Sequence, residues 1–398
     1  MSTAGTTSTA DVTGTAETIG RARTMDTAET ASTAGTKSAA GTKSAAGPTG
    51  ATAATTTSTT STATTATTAS TATTAKVAGT AGAVAHGFPH LDTVRAAITA
   101  LHRTLAPDAL QAYALSVLPA DVAFSDVDDL HLGAQRVARA LVRHLRLPDA
   151  RMIVSFCPMD HAASVELTEG PEYFIELNDR FRTHRRDIGA ALAHEVTHVL
   201  LHRLGLSFPD TGANEILTDT VTTYLGAGWL LLDAFREDAL TSQKLGYLTP
   251  EEFGYVLAKR ALAFDEDPSP WFTSPQGYTA YRKGRAHALR DAQQPPLTTA
   301  GWTGRHRYAK DRRHARESPE GPRPAYATSG GTSTVPGSNS NTGSGRGGGG
   351  AGYAFEHGPD GLRVSFPCPT CHQRIRVPVR GRVRARCGLC RTILECDT

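Results

Sequence analysis

Aromatic residues make up only 6% of the 398 positions, and none precedes Phe88. Long apolar runs are missing too, so no segment is suited to span a bilayer or to form the apolar centre of an export signal. Six cysteines, four of them in two close pairs, are too few and too clustered for a secreted disulfide scaffold. Charge of either sign is not in large excess: 41 Lys and Arg against 38 Asp and Glu leave +3, which points to no class of partner.

These shortages set the domain plan. Residues 1–85 are Thr, Ala, Ser and Gly, with Gly-Thr-Lys-Ser-Ala-Ala twice in tandem from Gly35. Such a segment cannot bury enough apolar surface to offset chain entropy and is expected to be disordered. Residues 301–360 read as a linker, basic over Arg305 to Arg316 and then rich in Gly, Ser and Pro. Folding capacity is left in 86–300 and in a short segment, 361–398.

Within 86–300, His194-Glu195-Val196-Thr197-His198 carries the chemistry. In a helix the two imidazoles lie one turn apart on one face and can share a metal ion, with Glu195 beside them to take a proton from metal-activated water. The stretch Arg186 to Leu206 has helical apolar spacing through Ile188, Leu192, Val196 and Val199, so one face can bury while the other holds metal. After the turn signals Gly205, Pro209 and Gly212, Asn214 reads as the cap of a second helix from Glu215. Glu215 and Asp219 share one face of it. Glu215 can complete a set of three ligands, and Asp219 can accept the remaining ring N–H of a ligand histidine.

His-Glu-Val-Thr-His followed by Asn-Glu-Ile-Leu-Thr-Asp resembles the paired motifs of the gluzincin metallopeptidases, the thermolysin-like group, in the reduced form called a minigluzincin. The resemblance covers about Met152 to Leu232. It implies His194, His198 and Glu215 as ligands of a catalytic zinc, Glu195 as general base and Asp219 as partner of a ligand histidine. It also implies an edge strand beside the metal helix that pairs with an extended peptide, for which Tyr173 to Leu177 is the candidate. Tyr224, Tyr278, Tyr281 and His287 are candidates for the group facing the oxyanion.

In 361–398, Cys368-Pro-Thr-Cys371 and Cys387-Gly-Leu-Cys390 have the spacing of a structural zinc site with four thiolates. Ile375, Val377 and Val379 alternate with arginines as in a strand with one buried face, and Gly381 allows a return. The segment looks like a zinc ribbon whose metal supplies most of its folding free energy. Its arginines suit phosphate backbones, though a zinc tetrathiolate offsets part of their charge, and Phe366 alone offers a ring for stacking. Cys396 reads as a spare thiol and Cys157 as a core residue.

Leu91 to Leu105 and Leu130 to Leu147 read as helices, and Arg151 to Phe156, Ala163 to Leu167 and Tyr173 to Leu177 as short strands; three further helices follow Gly226. The fold class expected is α+β: a small mixed sheet packed on the metal helix and further helices, plus a small β ribbon. The functional expectation is a zinc-dependent metallopeptidase with two zinc ions, one catalytic and one structural, acting on a peptide or protein. The alternative is a non-catalytic, zinc-stabilised regulatory protein whose basic ribbon contacts nucleic acid or another protein. No membrane partner is expected, and thiols arranged for metal with no export segment suit the cytoplasm.

Overall fold

A computed structural model describes residues 84–125, 127–237, 242–317 and 352–398, all of which belong to one unit, Thr67–Thr398. The readings of 1–83 as disordered and of 318–351 as linker fall outside these residues. The chain runs through α1 (Leu91–Thr104), α2 (Pro107–Gln111), α3 (Pro119–Val122), α4 (Leu130–His144), β1 (Arg151–Cys157), β2 (Ala163–Val165) and β3 (Glu172–Asn178). Then come α5 (Ile188–Leu204), α6 (Thr211–Tyr224), α7 (Gly228–Asp233), the short pair β4 (Arg236–Glu237) and β5 (Ser242–Gln243), α8 (Pro250–Phe264), α9 (Pro275–Ala292) and α10 (Trp302–Glu317). The ribbon comprises β6 (Ala354–Gly358), β7 (Gly361–Pro367), β8 (Arg374–Pro378), β9 (Arg382–Arg386) and β10 (Ile393–Asp397). This is an α+β fold.

Strict alternation in β1 and β3 buries Met152, Val154, Phe156, Tyr173, Ile175 and Leu177 on one sheet face, as a period of two requires. The strand order is β1-β3-β2, parallel between β1 and β3 and antiparallel between β3 and β2. Tyr173 to Leu177 is therefore not an edge. It lies in the central strand, with Ile175 opposite Val154 on one side and Val165 on the other. Alternation records which face is buried but not how many neighbours a strand has, so the sequence could not separate the two cases. The edge that meets α5 is β2.

Helix α5 also departs from expectation. Every residue from Ile188 to Leu201 is buried, so the helix has no wet face and runs through the core, in contact with α4, α6, α7 and the sheet. It ends at Gly205, whose φ of 60° is the left-handed cap conformation. Asn214 does not cap α6. Asp210 does, its carboxylate accepting from Ala213 N at 2.8 Å, and the helix begins one turn earlier than its apolar pattern indicated. Asn214 instead accepts from Phe208 N at 3.0 Å and pins the turn. Cys157 is half-buried, at the end of β1, and not a core residue.

Two buried cations tie the helices together. Arg260 on α8 is 1% exposed, and its donors reach Ser116 Oγ, Glu266 Oε2 and the carbonyls of Tyr113, Ala114 and Tyr224. Lys259, 3% exposed, pairs with Asp291 of α9 at 3.2 Å and donates to Pro369 O of the ribbon. Asp291 also receives Arg95 of α1 at 2.9 Å and the Tyr255 hydroxyl. The ribbon is thus fastened to the helices through a buried ion cluster, reinforced by Thr99 Oγ1 donating to Cys371 O at 2.8 Å and by Thr298 N donating to Glu395 O at 2.9 Å.

The segment from Arg305 to Arg316, read as a solvated linker, is instead the body of α10. Tyr308 anchors it in the ribbon's apolar cluster beside Tyr353 and Phe355, and Arg312 donates to Thr398 O at 2.7 Å. One buried residue on a helix rich in arginine leaves no periodic signal, which is why the sequence showed only its charge.

Lys259→Met would leave Asp291 and Pro369 O short of a donor in a buried site. Removing one partner of a buried pair costs about 3–5 kcal/mol, to be read as a lower urea midpoint at unchanged slope. On α4, His144 Nε2 lies 2.7 Å from Leu225 O at the end of α6. Burial pushes this imidazole's pKa below its ordinary value, against the raising effect of the carbonyl. The unfolded chain therefore takes up the proton first as pH falls. The contribution of His144 is complete above about 6.5, the ordinary imidazole value, and declines below it. Unfolding free energies across pH 7.5 to 5 should show a decline that His144→Gln reduces; equal slopes would contradict this.

Candidate metal centres

Residues four apart on α5 place the two imidazoles in register, with ring centroids 4.7 Å apart and planes at 77°. Glu215, in the second turn of α6, meets them from the facing helix. His194 Nε2 lies 3.0 Å from His198 Nε2 and 3.1 Å from Glu215 Oε2, and His198 Nε2 lies 3.4 Å from the same oxygen. A tetrahedral ion bonded at about 2.0–2.1 Å separates its ligand atoms by about 3.4 Å, so these three donors match one ion's coordination.

The outer nitrogens decide the tautomers. His194 Nδ1 faces Asp219 Oδ1 at 2.8 Å, and a carboxylate accepts, so Nδ1 carries a proton and Nε2 is the nitrogen turned to the shared centre. The Thr218 hydroxyl donates to Asn214 O at 3.0 Å, leaving its oxygen to accept from His198 Nδ1 at 3.3 Å. Asp219 is itself held from behind by the backbone N–H groups of Tyr247 and Leu248. That loop comes so close that a Cβ on Gly246, whose φ is 81°, would stand 2.7 Å from both Asp219 oxygens.

Buried charge drives the electrostatics. Glu195, Glu215 and Asp219 are all 0% exposed, three carboxylates against two imidazoles. Desolvation lowers the His194 pKa, but its hydrogen bonds to Asp219 and Glu215 prevail and raise it well above the ordinary value. Glu215 is resisted by desolvation and pulled down by His194 and His198 to about 2. Glu195 is raised, chiefly by burial. Both Glu195 oxygens and Glu215 Oε1 are buried with no hydrogen-bond partner among the described residues. Converging imidazole nitrogens with a buried carboxylate that keeps one oxygen unpaired are a donor set that a divalent cation satisfies.

The second centre lies in the ribbon, between the turns joining β7 to β8 and β9 to β10. Each turn repeats the other: Cys368 N donates to Gln373 O and Cys387 N to Thr392 O, both at 2.9 Å, and His372 and Arg391 take φ of 59° and 63°. The turns bring Cys368 Sγ to 3.6 Å from Cys390 Sγ, and Cys371 Sγ to 3.6 Å from Cys387 Sγ. The four Sγ atoms lie within 4.8 Å of one another, close to the spacing of about 3.8 Å for thiolates on an ion at 2.3 Å. Cys396, though buried among the ribbon's apolar residues, is not one of the four.

Both groups can hold a metal ion. All seven ligand candidates read from the sequence come together in two sets, with Glu195 and Asp219 against the first. Thr218 and the loop around Gly246 were missed. Thr218 was within reach, being one turn from Glu215 on the same face, whereas the loop is brought in by the tertiary fold alone. None of the oxyanion candidates bonds to the His194 group: the Tyr224 hydroxyl pairs with His102 Nε2 at 3.0 Å, His287 packs on Phe88, and Tyr278 and Tyr281 pack on Phe272. Nor does Phe366 offer a surface ring, because it is 2% exposed. Among the described residues no helix is long and apolar enough to cross a membrane.

No family model matches the chain, and comparison with curated proteins and with solved structures finds no match either.

Metal analysis of the purified protein by plasma mass spectrometry should find two divalent ions per chain, one for each group. His198→Ala should reduce this to one while the ribbon keeps its ion. A content unchanged by that substitution would remove the first group as a site.

Proposed function

We propose that this protein is a zinc-dependent metallopeptidase with a gluzincin arrangement, in which His194, His198 and Glu215 hold the catalytic ion and Cys368, Cys371, Cys387 and Cys390 a structural one. The observation that carries this reading is the convergence of two imidazole Nε2 atoms and one carboxylate oxygen within 3.4 Å, next to a buried carboxylate, Glu195, that has no partner among the described residues. Two imidazoles with a carboxylate, and four thiolates, are donor sets that favour zinc. Bound there, zinc would polarise the scissile carbonyl and lower the pKa of a water molecule.

The chain's own groups do the rest. Glu195 takes the proton of the attacking water at its carboxylate and delivers it to the leaving amide nitrogen. Asp219 fixes the ring of His194, and Thr218 that of His198, so neither imidazole reorients during turnover. β2, an edge strand of the sheet next to α5, is where an extended peptide can add by backbone pairing. The substrate on this reading is a peptide or protein, and the thiol-ligated ribbon suits a reducing compartment such as the cytoplasm.

One observation favours a second reading. Glu195 is 0% exposed, as in a site that merely ties α5 to α6, and the protein would then be a metal-stabilised regulatory or binding protein. Cleavage of a diverse peptide library separates the two. Glu195→Gln keeps the ligands and the shape, so on the peptidase reading it should retain both metal ions and lose at least 100-fold in kcat, the scale of general base catalysis. Cleavage by Glu195→Gln at the parent rate would sink the peptidase reading.

A further inference from the structure

Charge is segregated along this nearly neutral chain. Residues 84–301 hold 20 Lys and Arg against 27 Asp and Glu, whereas 302–317 and 352–398 together hold 14 against 6. The helix α10 and the ribbon to which Tyr308 fastens it therefore form a cationic module attached to an anionic core. Arginines of the ribbon also compensate nearby carboxylates: Arg363, Arg376, Arg384 and Arg391 pair with Asp360, Glu356, Glu395 and Asp108. Arg374, Arg380, Arg382 and Arg386 meet no carboxylate among the described residues, and all four are exposed.

The outward face of α10 carries a second, independent feature. At 100° per residue, Trp302, His306, Lys310 and Arg313 fall on the side opposite the buried Tyr308, and all four are exposed. Trp302 is 73% exposed and stacks on His306, with centroids 5.7 Å apart and planes at 20°. Lys310 and Arg313 have no carboxylate partner among the described residues. An exposed flat ring followed along one helix face by free cations fits bases that stack and phosphates that pair.

We propose that the exposed face of α10, extended by the unpaired ribbon arginines, binds single-stranded nucleic acid, with Trp302 as the stacking platform. A lipid surface fits less well. Trp302 and Ile393 are the only large apolar side chains the module exposes, too few to anchor in a bilayer. An acidic peptide would use the cations but not the ring.

The test is fluorescence anisotropy of a labelled oligo-uridine or oligo-thymidine with the full chain over a range of salt concentrations. Duplex DNA, vesicles of phosphatidylcholine with phosphatidylserine, and polyglutamate serve as competitors. Binding is expected to weaken with salt, and removal of one contact in Arg313→Gln should lower the slope by about 0.7. Loss of one stacked base in Trp302→Ala should weaken single-strand binding about 5- to 150-fold, the equivalent of about 1–3 kcal/mol, and Trp302→Tyr should restore most of it. Trp302 is a surface residue, so thermal melting of each variant distinguishes lost binding from lost folding. Absence of binding at low salt would overturn the proposal. So would unchanged affinity in folded Trp302→Ala, or equal competition by vesicles or polyglutamate. Peptide cleavage enters none of these readouts.

Discussion

Placing three carboxylates and two imidazoles between α5 and α6 at almost no exposure to water is the constraint that orders the rest of this structure. Uncompensated charge there would cost several kcal/mol per group. The fold responds from several directions: the two rings meet Glu215, the outer nitrogen of His194 and the backbone N–H groups of Tyr247 and Leu248 meet Asp219, and the Thr218 oxygen accepts from the outer nitrogen of His198. Both Glu195 oxygens and one of Glu215 still lack a partner among the described residues, a charge that a cation held by His194, His198 and Glu215 could offset.

The same accounting explains why α5 has no polar face. A helix on the surface could leave its histidines to water. In the interior each ring must be told which nitrogen bears its proton, and that instruction comes from outside the motif. Burial of the helix from Ile188 to Leu201 is thus part of how the ligand set is specified, and three buried threonines of α6 fit the same scheme. Thr218, Thr222 and Thr223 each return their hydroxyl to a carbonyl one turn back and add no unmet donor beside the ligands, whereas the buried Thr220 hydroxyl finds no partner among the described residues.

Much of this was legible in the sequence because it is local. Spacings of four within His194–His198 and Glu215–Asp219, and of three within each cysteine pair, fix a shared helix face or a tight turn regardless of the surroundings. The α+β class followed from short alternating segments preceding helical ones. What was not legible depends on partners far along the chain. Whether β3 is an edge is settled by β2, the cap of α6 by an aspartate just beyond the apolar pattern, and the state of α10 by one tyrosine packing on strands some fifty residues later. Asp219 shows both sides: its ring partner was predictable from spacing, whereas the backbone amides that hold it were not.

The ribbon's first turn docks on α1 across sequence separations of 272 and 270 residues, through Thr99 to Cys371 and Arg103 to Gln373. Contacts that distant carry a large loop-closure entropy and form late. During synthesis the helices that hold the histidines and Glu215 are complete long before residues 368–373 exist, and Lys259 waits 110 residues for the carbonyl that completes its surroundings. Assembly of the core thus has a built-in last step, the arrival of the ribbon's first turn, and a chain interrupted before that turn leaves Lys259 on a surface that the full chain covers.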